Sequence, residues 1–115
     1  MKERVFKLKS EEIIQLITPM GGCIASDRIT VDGLKVGFMF REETDRELDS
    51  GWRFTSDTEN QEYMDDPNNW TVYDVNTIAN CDRAIIPYLN LPVGVELERT
   101  GDTDEFTILK FGIEE

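Results

Sequence analysis

Carboxylates are the chemistry-bearing side chains this sequence holds in quantity, and they crowd into one stretch. Residues 42–74 carry eleven, Glu42, Glu43, Asp45, Glu47, Asp49, Asp57, Glu59, Glu62, Asp65, Asp66 and Asp74, against only Arg46 and Arg53. Such a density serves a hard cation, proton transfer, or attraction of a basic partner. Asp45, Glu47 and Asp49 repeat the alternate-residue spacing of a calcium loop, but glycine arrives one place late at Gly51 and the twelfth position is Ser56 rather than glutamate. Glu62, Asp65, Asp66 and Asp74 offer oxygens to magnesium or to a general acid and base pair, a role set by separation in space rather than in sequence. No catalytic residue, metal or cofactor is expected.

Aromatic residues interleave with these acids. Trp and Tyr surrounded by carboxylates form the composition of a protein-binding patch, in which a ring is buried as an anchor and acids pair with a partner's Arg or Lys. The candidate partner-binding set is Asp45, Glu47, Asp49, Glu62, Tyr63, Asp65, Asp66, Asn68, Asn69, Trp70 and Asp74, with Trp70 as anchor. Trp52 alternates with Phe54 and is expected in the core. The competing reading of the same acids is a solvated, solubilising surface.

Other chemistries are excluded by what the chain lacks. It has no histidine, which removes His-dependent triads and imidazole zinc sites. Two isolated cysteines, Cys23 and Cys81, do not make a four-thiolate site and are expected as free thiols, Cys23 as a small buried hydrophobe. No glycine-rich phosphate loop is followed by the required lysine. The formal charge of −12 with scattered Lys and Arg argues against binding nucleic acid or an anionic membrane. The amino-terminal residues show neither a secretory signal nor an apolar span, so a cytoplasmic protein is expected, and Asn69-Trp70-Thr71 then has no route to glycosylation.

The elements that position these residues follow from periodicity. A length of 115 residues fits one domain able to bury a core without staples. Residues 5–9 alternate weakly, as a short edge strand would. Ser10 suits an N-cap, with Glu11 and Glu12 in the first turn and Ile13, Leu16 and Ile17 at helical spacing, so an amphipathic helix is predicted over 10–17, ending before Pro19. Strands are predicted at 23–26, 34–41, 51–55, 93–98 and 105–111. In 34–41, Leu34, Val36, Phe38 and Phe40 are assigned to the core face. The loop at 42–50 makes 34–41 and 51–55 an antiparallel hairpin, and Gly101-Asp102 closes another. Asp57, Asp74 and Asp82 are placed as caps of short helical turns. The fold class is α+β, mainly antiparallel sheet with one amphipathic N-terminal helix and short helical turns.

The run GGCIASDRI, then KVGFMFREE, DSGWRF, EYMDDPNN, YDVNTIAN and IIPYLN with a following LER resembles the bacterial family known as domain of unknown function 2185, also called immunity protein 33-like. The resemblance covers residues 21–99, and the chain departs from the family pattern at Cys81, where an aromatic residue is usual. It implies a small cytoplasmic protein of a polymorphic toxin system that binds and blocks a cognate toxin. Joined to the charge, it points to a basic toxin, for instance a nuclease with a positive groove. A stand-alone regulatory or adaptor module and a carboxylate-dependent hydrolase are the alternative readings, and oligomeric state is left open.

Overall fold

A computed structural model describes residues 6–112. In chain order the elements are β1 (Gly22–Ser26), α1 (Asp27–Thr30), β2 (Phe38–Arg41), β3 (Asp49–Thr55), α2 (Gln61–Asp65), β4 (Trp70–Asp74), α3 (Val75–Cys81), β5 (Glu96–Arg99) and β6 (Phe106–Lys110), with 3-10 turns at Ser10–Glu12, Pro67–Asn69 and Arg83–Tyr88. The strands form one sheet in the order β4-β1-β3-β2-β5-β6. Four neighbouring pairs are antiparallel and β1 with β3 is parallel. The fold is α+β and mainly sheet. Both expected hairpins, β2 with β3 and β5 with β6, are present.

Alternation divides the sheet into two unlike faces. Registered neighbours Ala25, Phe54, Met39 and Leu97 make a row across one face, all fully buried. Helical residues Ile29, Val75, Ile78, Ala79 and Ile85 join the same core, with Trp52 beside them. The indole N–H of Trp52 donates to the Leu89 carbonyl at 3.0 Å, so the largest buried ring leaves no polar atom unpaired. On the other face the row reads Val72, Ile24, Arg53, Phe40, Glu96 and Lys110. The α1, α3 and Arg83–Tyr88 segments bury their apolar side chains on the first face, while α2 covers the Ser26 and Trp70 end of the second through Tyr63 and the Val72 end stays exposed.

The facing assigned to 34–41 is thereby corrected. The strand begins only at Phe38, and Met39 rather than Phe38 or Phe40 enters the core. Val36 is buried, as expected, but from a loop where its N–H donates to the Asp82 carboxylate at 3.0 Å, and Leu34 is exposed. Gly37 breaks the alternation between them: a Cβ there would collide with the Ser56 carbonyl, so the chain crosses that backbone closely before the strand starts. Asp82 also caps the Arg83–Tyr88 turn and pairs with Arg99, whose guanidinium lies 4.8 Å over the Phe106 ring. That buried pair ties β5 to the helical layer.

The predicted helix over 10–17 is absent. Only Ser10–Glu12 is helical, as a 3-10 turn with Lys9 rather than Ser10 at the N-cap; Ile13 is extended, residues 14–16 have no regular structure and the chain bends at Ile17. Two asparagines of α3 hold them. Asn76 Oδ1 accepts from the N–H of Leu16 (2.8 Å) and Ile17 (3.3 Å) while its amide donates to the Ile14 carbonyl (2.9 Å). Asn80 brackets Ile14 in the same way, accepting at 3.1 Å and donating at 2.8 Å. With three isoleucines in 13–17 the intrinsic helix preference is small, so side-chain amides that satisfy the non-helical backbone prevail. Leu16 and Ile17 still pack against the core from this strap. The weak edge strand expected over 5–9 is likewise not formed in its described part, residues 6–9, although the Lys7 N–H reaches the Thr30 carbonyl at 2.7 Å; Val5 lies outside the described residues. Asn60, not Asp57, caps α2.

Two outcomes test this layout. Met39→Ala is expected to cost roughly 2–5 kcal/mol in urea denaturation and Phe38→Ala clearly less; the opposite order would show that the faces are misassigned. Asn76→Ala is expected to cost about 1–3 kcal/mol, and amide exchange at Leu16 and Ile17 should accelerate before global unfolding does.

Candidate partner-binding surface

The charged loop between β2 and β3 is built by two close backbone approaches. At its far end the Gly22 N–H donates to the Leu48 carbonyl at 2.6 Å, and Gly21, at φ 98°, passes so near that a Cβ would sit 2.6 Å from that oxygen. At its neck the Glu42 N–H donates to the Gly51 carbonyl at 2.9 Å, and Gly51, at φ 89°, has no room for a Cβ beside the Glu42 carbonyl. Only glycine fits these positions without strain. Inside the loop the Asp49 N–H donates to the Arg46 carbonyl at 3.1 Å, and Thr44 Oγ1 accepts from the Arg46 N–H while donating to Asp49. The loop is a fixed projection, and it directs Leu48 outward.

Arg53 joins this loop to the open face. Its guanidinium forks onto Asp49, with Nη1 to Oδ1 at 3.0 Å and Nη2 to Oδ2 at 2.8 Å, and its Nε donates to Glu42 Oε2 at 2.6 Å. The Arg53 side chain is only 11 % exposed, so this bidentate pairing is strong and weakly screened. Hydrogen bonding to Arg53 holds the Asp49 carboxyl well below the usual carboxylate range, with the Gly51 N–H and Thr44 hydroxyl assisting, and the same contact raises Arg53.

Beside the ion cluster lies a cleft of about 170 Å³, with Ile24, Leu48 and Val72 as its apolar walls and Gly22, Asp49 and Arg46 at its margins. Leu48 is 84 % and Val72 67 % exposed. Asp45 and Glu47 project from the same loop, and Asp74 pairs with Gly22 across β4 and β1, so this end of the sheet gathers Asp45, Glu47, Asp49 and Asp74. Asp74 also caps α3 through the Asn76 N–H at 3.0 Å, as expected.

The remaining candidates occupy the opposite end. Glu62, Tyr63 and Asp65 belong to α2, Asp66 caps the turn holding Asn68 and Asn69, and Trp70 opens β4. The Trp70 indole donates to the Met64 carbonyl at 3.2 Å and meets the Tyr63 ring edge-on at 6.1 Å, while Arg28 lies 4.4 Å over the other aromatic, Tyr63. Asn69 donates to the Tyr63 carbonyl at 2.9 Å. Trp70 is half-buried against this helix and turn. The single acidic stretch of the sequence is therefore two groups, about 13 Å apart along β4 at ordinary strand rise.

Sequence reasoning passed over Leu48, Val72, Ile24 and Arg53. The available signals were a lone leucine in a charged loop and the Gly21-Gly22 and Gly51 positions that fix it. Cys23 is buried and free, its thiol pushed up by burial and so poorly nucleophilic; burial and Asp82 raise Cys81 too. Among the described residues no group of three or more His, Cys, Asp or Glu is placed to hold a metal ion, and no helix is long and apolar enough to cross a membrane.

The profile of the Immunity protein Imm33 domain matches residues 23–110. The chain belongs to the Imm33 immunity protein family. The Imm33 match runs from within β1 to the end of β6 and so takes in the fixed loop, the open face and both acidic groups. No curated protein and no solved structure matches the chain.

Two measurements probe the ion cluster. Arg53→Ala leaves two carboxylates without their cation and should cost roughly 3 kcal/mol, read by thermal or urea unfolding. Asp49 has a folded pKa below its unfolded value near 3.9, so its contribution is complete above about pH 4 and is lost as pH falls toward the folded value. Asp49→Asn should therefore reduce stability at pH 7 and flatten the loss of stability between about pH 4 and 2; an unchanged acid limb would show that the pair contributes nothing.

Proposed function

We propose that this chain is an immunity protein that binds a cognate toxin and blocks it, acting in the cytoplasm by occlusion and without chemistry of its own. The observation that carries the reading is the Imm33 match across residues 23–110. A toxin is the kind of partner this family implies, and the open sheet face flanked by acidic groups gives a protein partner a place to dock. The net charge of −12 favours a basic toxin, whose approach it would accelerate while disfavouring acidic competitors. The exposed acids of the candidate set, Asp45, Glu47, Glu62, Asp65, Asp66 and Asp74, are assigned to steering this partner.

Co-expression tests the role directly. A toxin domain encoded beside this chain's gene should arrest growth when expressed alone and be neutralised when this chain is present. The two purified proteins should associate at a rate that falls steeply with added salt. Growth arrest undiminished by the chain, with no complex formed, would remove the immunity reading; a complex whose association rate ignores salt would remove the basic partner while leaving immunity intact.

A further inference from the structure

We infer that the cleft between Leu48 and Val72 is where the toxin is anchored, receiving one apolar side chain of the toxin while Lys or Arg beside that side chain pairs with Asp45 and Glu47 of the loop that bears Leu48. The inference rests on the immunity reading and names the part of the surface that performs it.

Four observations converge on this cleft. Leu48 and Val72 are the two most exposed large apolar side chains of the described residues, and both line it. They come from segments distant in the chain, so their meeting at one opening reflects the fold rather than a single greasy run. Their backbones are fixed before any partner arrives: Leu48 by its carbonyl bond to Gly22 and the missing Cβ of Gly21, Val72 by its register with Ile24 in the sheet. Anchors held this way lose little conformational freedom on binding, which is how a small interface reaches high affinity. Finally the loop that bears Leu48 offers free acids. The lining itself holds Arg46 and Asp49, and Arg53 engages Glu42 and Asp49, but Asp45 and Glu47 of the same loop are exposed.

Apolar walls on a loop with exposed acids suit an aliphatic or aromatic side chain with basic neighbours, and a volume of about 170 Å³ admits one such side chain rather than a helix face. Tyr63 and Trp70 at the other end are already packed on each other, and Arg28 covers Tyr63. That end offers its carboxylates to the field and has its rings engaged within the fold.

The experiment measures association and dissociation of the same neighbouring toxin domain by surface plasmon resonance, with thermal unfolding as a control. Leu48→Ser and Val72→Ser leave the charge unchanged and lie at exposed positions. Combined, they should raise the dissociation rate by about 30-fold or more, the loss that removal of a central anchor produces, with little change in association rate or melting temperature. Asp45→Asn with Glu47→Gln should slow association instead. Wild-type dissociation from the Leu48→Ser, Val72→Ser variant, with Trp70→Ala releasing the toxin, would place the anchor at the opposite end and overturn the inference while immunity stands. A change in the variant's oligomeric state with toxin binding intact would make the cleft a contact between copies of this chain, and would also overturn it. Failure of the wild-type chain to bind or neutralise the toxin would remove the immunity reading and this inference together.

Discussion

A guanidinium at the centre of an open sheet face is the constraint on which the rest of this surface depends. Arg53 is buried enough that its charge needs partners within the protein, since an unpaired ion there would cost more than the fold can spare. Asp49 and Glu42 supply them from the start of β3 and the end of β2. The same loop is closed at its neck by the backbone bond from Glu42 to Gly51, and its far end abuts Gly21 and Gly22, with Leu48 exposed beside them. Asp49, a candidate partner contact in sequence, is thus an internal counter-ion, as is its neighbour in the cluster, Glu42.

Elements whose instructions are local were legible from sequence. Trp52 and Phe54 alternate with Arg53 and enter the core as period-2 reasoning requires, and the Gly101-Asp102 turn joins the closing hairpin. The caps at Asp74 and Asp82 are also local, each a carboxylate accepting an N–H two residues on. Where a distant group decides, the reading failed. The helix expected at 10–17 carries a sound amphipathic pattern, yet Asn76 and Asn80, some sixty residues later, take the backbone groups of Ile14, Leu16 and Ile17 that a helix would need. Nothing within a window of that segment discloses them. In 34–41 the alternation looked continuous, but contact with Ser56 at Gly37 interrupts the strand, and the residues beyond Gly37 are offset so that Met39 faces the core.

The centre of the sheet was hidden for a related reason. Hairpin signals predict antiparallel neighbours, whereas β1 and β3 are parallel and joined by a crossover through β2. Parallel pairing requires such a long connection and leaves no turn signature. It places the amino-terminal ends of β1 and β3 side by side, which is why Gly22 can bond to Leu48. The cleft is thus a product of topology: its walls are supplied by β1, β4 and the loop before β3, and no motif spans them.

Charge shows the same separation between chain and space. Residues 42–74 read as one field of −9, but the five residues of β4 set the acids at its two ends about 13 Å apart. Screening at physiological salt acts over roughly 8 Å, so the two groups attract nearly independently, and a partner touching one end gains little from the other. Arg53 and Arg46 weaken the end that holds the apolar cleft, while Arg28 stacks at the end that holds Tyr63. Under the proposed reading a basic toxin would be drawn in by the whole, its orientation set by where an apolar side chain can be buried, and the β1, β4 and loop end holds such an opening between residues fixed by the sheet and by Gly21.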